Sequence, residues 1–159
     1  MMIERGDLIF VKNKGFLFDK IRNILNSDTD HVGIMLTDNT LIDATLAGVK
    51  IRPLTVFDGL EYCVYRLKPE YAHHIDEMLN YCTSKLGCGY DFIQIISLYF
   101  LILLGIKKTL NPIDIGNAFV CSELIAQSAE CAGFSFQDEM ATDRITPLEL
   151  QQSEKVFKV

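Results

Sequence analysis

Apolar residues along the chain fall into two rhythms. Short apolar runs bounded by turn residues predict strands at Gly6 to Val11 (GDLIFV), His31 to Leu36 (HVGIML), Leu41 to Thr45 (LIDAT) and Val49 to Leu54 (VKIRPL). The breaks at Thr37-Asp38-Asn39-Thr40 and Ala47-Gly48 make the last three an antiparallel meander, which Tyr62 to Leu67 (YCVYRL) is expected to continue. Val156 to Val159 reads as a last edge strand.

Helical spacing takes over elsewhere. Phe16, Lys20/Ile21 and Ile24/Leu25 predict a short helix over Phe16 to Leu25. Ile75, Met78, Leu79, Cys82 and Leu86 share one stripe of a helix over Pro69 to Leu86, with Pro near its start and Gly87 just past its end. Val120, Leu124, Ile125, Ser128 and Ala129 do the same for Asn117 to Ala132, closed by Gly133. Thr146-Pro147-Leu148-Glu149 has the form of a capped helix start. Phe92 to Ile106 is the most apolar stretch, but it contains Gln94 and Ser97 and is shorter than the roughly 20 residues that span a bilayer. It reads as a buried helix, with a place at a membrane surface as the alternative.

At 159 residues the chain is expected to be a single α+β domain over residues 1–159, an antiparallel sheet packed against helices. The formal charge of -6 repels phosphate backbones, which argues against a nucleic-acid partner. Five cysteines, an odd number with no Cys-x-x-Cys pair, and no visible secretory signal fit free thiols in a reducing, cytoplasmic setting. There is no P-loop and no G-x-G-x-x-G, so no nucleotide cofactor is indicated.

Placement separates the five thiols as candidate nucleophiles. Cys121 stands near a helix start, where unpaired N–H groups favour a thiolate. Cys63 lies in a strand run, Cys82 on an apolar stripe and Cys131 near a helix end, all three read as core filling, while Cys88 sits in the ambiguous turn Gly87-Cys88-Gly89. A metal site from His73, His74, Cys82 and Cys88 matches no paired-ligand spacing and is set aside. Of the three histidines, His31 is best placed as a base, because it opens a strand. If Thr37-Asp38-Asn39 is a three-residue loop, Gly33 faces Asp43, and His31 and Asp43 become diagonal neighbours on one face; a two-residue loop puts them on opposite faces. Taken singly, each of these residues is more often structural than catalytic.

Together the segments resemble the circularly permuted papain-like cysteine hydrolases related to NlpC-type peptidases, including YiiX-like proteins. The likeness runs through Gly6-Asp7-Leu8-Ile9-Phe10, His31-Val32-Gly33-Ile34, Leu41-Ile42-Asp43-Ala44, Gly87-Cys88-Gly89-Tyr90-Asp91, Phe119-Val120-Cys121-Ser122-Glu123-Leu124 and Thr146-Pro147-Leu148-Glu149-Leu150, in the family's order. It implies a permuted papain-like fold with Cys121 as nucleophile, His31 as base and Asp43 orienting the imidazole. It also implies an oxyanion met by the Cys121 N–H, with the Tyr90 hydroxyl as second donor. No metal or cofactor is implied. Where peptidoglycan peptidases of this kind usually carry Gly after Cys-Ser and a Trp-Gly-Gly segment after the Tyr, this chain has Glu123 and no Trp, so the resemblance speaks to chemistry more than to substrate.

The expected activity is thiol-dependent cleavage of an amide bond in a peptide or peptidoglycan-like substrate. A lipid acyl hydrolase or acyltransferase of the lecithin:retinol acyltransferase-like branch is the alternative, resting on Phe92 to Ile106. A binding protein that kept the fold and lost catalysis is the third reading, against which the complete Cys, His and Asp set argues.

Overall fold

A computed structural model describes residues 2–89, 120–137 and 145–159. Its centre is a six-stranded antiparallel sheet built from β1 (Leu8–Lys12), β2 (His31–Met35), β3 (Thr40–Thr45), β4 (Gly48–Pro53), β5 (Glu61–Leu67) and β6 (Val156–Lys158), in the order β4-β3-β2-β1-β5-β6. Four helices are described: α1 (Phe16–Leu25), α2 (Ile75–Ser84), α3 (Cys121–Cys131) and α4 (Pro147–Gln151).

Strand alternation divides the sheet into two buried faces. Leu8, Phe10, Val32, Ile34, Ile42 and Ala44 pack with Met78 and Leu79 of α2 and Leu124, Ile125 and Ala129 of α3 to form the main core. Ile9, Val11, Met35, Leu41 and Val64 point the other way and meet Phe57, Leu54 and Leu60. β2 is buried at all five positions, which explains its continuous run without polar alternation.

The expected meander holds for β2, β3 and β4 but not for β5, which pairs with β1 instead, Ile9 against Val64 and Val11 against Tyr62. β4 ends at Pro53, which has no N–H to extend a ladder. The chain then turns through a 3-10 segment, Leu54–Phe57, buries Phe57, and joins the sheet beside β1. The expected helix Pro69 to Leu86 likewise divides: Pro69–His74 is 3-10 and only Ile75–Ser84 is α-helical. At α4, Thr146 Oγ1 accepts from the Glu149 N–H (3.3 Å) and Glu149 Oε2 from the Thr146 N–H (2.7 Å), a reciprocal cap. None of the helices among the described residues is long and apolar enough to cross a membrane.

Candidate active site

Loop length sets the site. Leu36 N–H donates to the Thr40 carbonyl at 2.8 Å, so Thr37-Asp38-Asn39 is the three-residue loop, and β2 and β3 pair with Gly33 opposite Asp43. His31 and Asp43 therefore share a face, and His31 Nε2 lies 2.8 Å from Asp43 Oδ2. Gly33 makes the diagonal reach feasible. A Cβ on it would fall 2.4 Å from Leu41 Cδ1 and 3.1 Å from Asp43 Cβ, so any side chain there would crowd the carboxylate.

The entrance to β2 is pinned from outside the sheet. Asp30, immediately before His31, has a buried carboxylate that accepts from Asn13 Nδ2 at 2.6 Å and from the Asn13 N–H at 3.1 Å. Arg22 of α1 pairs with the same carboxylate and donates to the Asn13 carbonyl at 2.8 Å. The residue before the imidazole is thus tied both to the end of β1 and to α1.

Asp43 is wholly buried and serves two cations. Arg52 of β4 donates through Nε to Oδ1 at 2.9 Å and through Nη2 to Oδ2, the oxygen that also faces His31. Burial works against the carboxylate, but the hydrogen bonds and charges of His31 and Arg52 outweigh it and hold Asp43 below its ordinary range. Phe57 completes the surroundings: Arg52 Cζ lies 5.3 Å from its ring centre, and the His31 ring meets it edge-on at 6.0 Å.

Cys121 is the first residue of α3 and is buried. Glu123 Oε2 accepts from the Val120 N–H at 3.3 Å, and its Oε1 accepts from Gln127 Nε2 at 2.8 Å, while Gln127 Oε1 receives the Tyr81 hydroxyl at 2.6 Å. Ser122 Oγ donates to the Ile145 carbonyl at 2.6 Å. The residues flanking the thiol are therefore fixed by α2, by α3 itself and by the approach to α4. Burial disfavours the His31 imidazolium, but the charge of Cys121, then the hydrogen bonds to Asp43 and to Cys121 and the charge of Asp43, overcome it and push His31 up to about 10. Asp43 Oδ2 occupies Nε2 of the ring.

The remaining cysteines do not compete on these terms. Burial pushes Cys82 up to about 12 and also raises Cys63, so neither favours a thiolate. Cys88 is half-buried, and its turn docks on β4, with Val49 N–H donating to the Cys88 carbonyl at 2.9 Å. Cys131, expected in the core, is exposed in the last turn of α3, on the side turned away from the core that Ala129 and Ala132 enter. His73 and His74 lie in the 3-10 segment before α2 with ring centres 3.8 Å apart and the ring planes tilted by 39°. Tyr90 and Phe92 to Ile106 lie outside the described residues.

Residues 2–99 match the family described as permuted papain-like amidase enzymes (YaeF/YiiX, C92 family). The chain belongs to this family. The permuted papain-like amidases carry the α+β architecture seen here, and the crystal structure of the metalloprotein yiiX from Escherichia coli O157:H7 shares the fold, with a TM-score of 0.73 and 15% identity over 100% of this chain and 97% of that one. No curated protein sequence matches. Among the described residues of this chain, no group of three or more His, Cys, Asp or Glu side chains is placed to hold a metal ion. As a member of an amidase family, the chain is a cysteine hydrolase at the family level. The structure brings His31 and Asp43 together as the loop parity predicts, and sets beside them Arg52 and Phe57, which the sequence pattern did not single out.

Proposed function

We propose that the chain cleaves an amide bond in a peptide or peptidoglycan-like substrate through an acyl-thioester on Cys121. The observation that supports this most directly is the setting of His31, with Nε2 held by a buried carboxylate and the ring facing a thiol at a helix N-terminus.

In the proposed cycle the reacting species is a Cys121 thiolate beside a His31 imidazolium, and the raised His31 value supports the charged imidazole. The sulfur attacks the carbonyl carbon, and the oxyanion is met by the Cys121 N–H, with the Tyr90 hydroxyl as a second donor. Collapse of the adduct breaks the C–N bond as His31 gives its proton to the leaving amine. Neutral His31 then takes a proton from water, whose oxygen attacks the thioester; the acid leaves and the thiolate and imidazolium are restored. Asp43 holds the imidazole in one orientation through both halves.

The test is to incubate the protein and its Cys121→Ala variant with panels of muropeptides and phospholipids and to look for a covalent adduct by mass spectrometry. The expected result is an acyl mass on Cys121 from a peptide-bearing substrate and none on the variant. An adduct formed only from phospholipid overturns the amide reading in favour of lipid acyl chemistry; labelling of the Cys121→Ala variant to the same extent removes Cys121 from the mechanism.

A further inference from the structure

We infer that Arg52 is a positioning residue for the thiol and imidazole: its guanidinium, stacked on Phe57, clamps the Asp43 carboxylate so that Oδ2 stays charged and aimed at His31 Nε2. The inference rests on the roles proposed above for Cys121 and His31, and adds a residue that acts only through Asp43.

Four contacts close a ring of side chains. His31 Nε2 meets Asp43 Oδ2 at 2.8 Å; Arg52 grips both oxygens of the same carboxylate; Arg52 Cζ lies 5.3 Å from the Phe57 ring centre; and Phe57 stands edge-on to His31 at 6.0 Å. A single hydrogen bond to His31 leaves a carboxylate free to rotate about its last torsion, because one donor fixes one oxygen. A guanidinium bound through Nε and Nη2 fixes both, and its planar fork matches the carboxylate in a way an ammonium does not. Phe57, itself buried, supplies one apolar surface to both cations and keeps water from the side of the ring it covers.

Charge balance points the same way. Asp43 is faced by His31 from β2 and by Arg52 from β4; Lys50, its register partner on β4, is exposed; and Cys121 from α3 faces His31. With thiolate, imidazolium, carboxylate and guanidinium all present, two negative and two positive charges cancel. Without Arg52, a buried group carries one uncompensated negative charge, which is relieved by protonating Asp43 or the thiolate. Either proton destroys the reactive pair, so the acid side of its working range should contract.

The experiment follows the rate of Cys121 alkylation by iodoacetamide from pH ~4 to ~9, read by mass spectrometry of each cysteine, with folding checked by circular dichroism. In Arg52→Gln the acid limb is expected to move up by about one pH unit, which is about tenfold slower labelling at a fixed pH on that limb. Arg52→Lys, which keeps the charge but not the fork, should fall between this variant and the unmodified protein. In an Asp43→Asn background, Arg52→Gln should add no further shift, because its target is already gone. If Arg52→Gln does not fold, Arg52→Lys and Phe57→Leu decide, each expected to move the limb upward by less. An unmoved limb, whether or not the melting temperature drops, overturns the inference, as does a full further shift in the Asp43→Asn background. Equal labelling of all five cysteines in the unmodified protein, or labelling of Cys121 indifferent to His31→Ala, fails the proposed function and the inference with it. Fast, His31-dependent labelling of Cys121 with an unmoved limb fails the inference alone.

Discussion

Replacing Asp43 by Asn isolates the carboxylate's charge while keeping its shape. The native side chain accepts three charge-assisted hydrogen bonds, one from His31 at 2.8 Å, one from Arg52 Nε at 2.9 Å and one from Arg52 Nη2, with no exposure to solvent. An amide offers one carbonyl oxygen and one NH2, so it satisfies His31 or Arg52 and turns N–H against N–H at the other. Each lost charge-assisted bond is worth about 1.5–3 kcal/mol. The Arg52 share is discounted because its side chain is 28% exposed and reaches water when released. His31 is buried and has no such escape. The sum is about 3 kcal/mol, at the low end of breaking a buried ion pair. With a urea slope of about 2 kcal/mol per molar, the unfolding midpoint at pH 7 should fall by about 1.5 M. The pH dependence has a definite sign. A carboxylate held below its ordinary range contributes stability that is fully present above its unfolded value of about 3.9 and is lost as pH falls through the lower folded value. The gap between the two proteins should therefore be level from pH ~5 to 7 and close below pH ~4. Urea titrations followed by circular dichroism at pH 7, 5 and 3.5 measure it. A variant within about 0.5 kcal/mol of the unmodified protein at pH 7, or a gap that widens on acidification, would mean that the Asp43 charge does not stabilise the fold through His31 and Arg52.

Two further outcomes bear on the same geometry. In Cys121→Ala, His31 loses the charge that contributes most to its upward displacement, so the imidazole midpoint read by NMR should drop from about 10 by at least about one unit; no change would mean that the thiol does not face the ring. Gly33→Ala places a methyl beside Asp43 Cβ and Leu41, so it should cost about 1–3 kcal/mol in urea unfolding and slow Cys121 alkylation together, whereas a variant normal in both measurements would show that the close approach is not needed.

What the sequence made legible depended on whether a local rule fixed the answer. The β2–β3 register followed from the length of one loop, and Thr146 with Glu149 announced its own cap. Cys121 was placed at a helix start by the apolar spacing behind it. Arg52 was equally within reach of parity. Thr45 pairs with Gly48 and Asp43 with Lys50, so Arg52 lies two residues along on Asp43's face; the signal was present in the hairpin but required carrying the register across one more turn. Phe57 had no such signal, because it belongs to a short 3-10 segment with no repeating pattern. The position of β5 beside β1 was likewise invisible: an apolar strand fits either free edge, β1 or β4, of the four strands before it, and alternation does not choose between them. Nor do side chains distinguish a 3-10 first turn from an α-helical one after Pro69, since both bring residues three apart onto one face.

The distribution of the site along the chain has a physical consequence. His31, Asp43, Arg52 and Phe57 all come from residues 31–57, on three adjacent strands and the turn that follows them, whereas Cys121 arrives on a separate helix. Strand register fixes the first group to within a hydrogen bond, and the Asp30, Asn13 and Arg22 contacts anchor its entrance. The base side is thus a rigid sheet feature, formed once the β2, β3 and β4 ladder is in place. The thiol depends on how α3 packs against β2 and β3, through Leu124, Ile125 and Ala129. Damage to that packing should therefore separate sulfur from imidazole while leaving the His31–Asp43–Arg52 geometry whole, and a protein so damaged should keep a stable carboxylate cluster and lose its reactive cysteine.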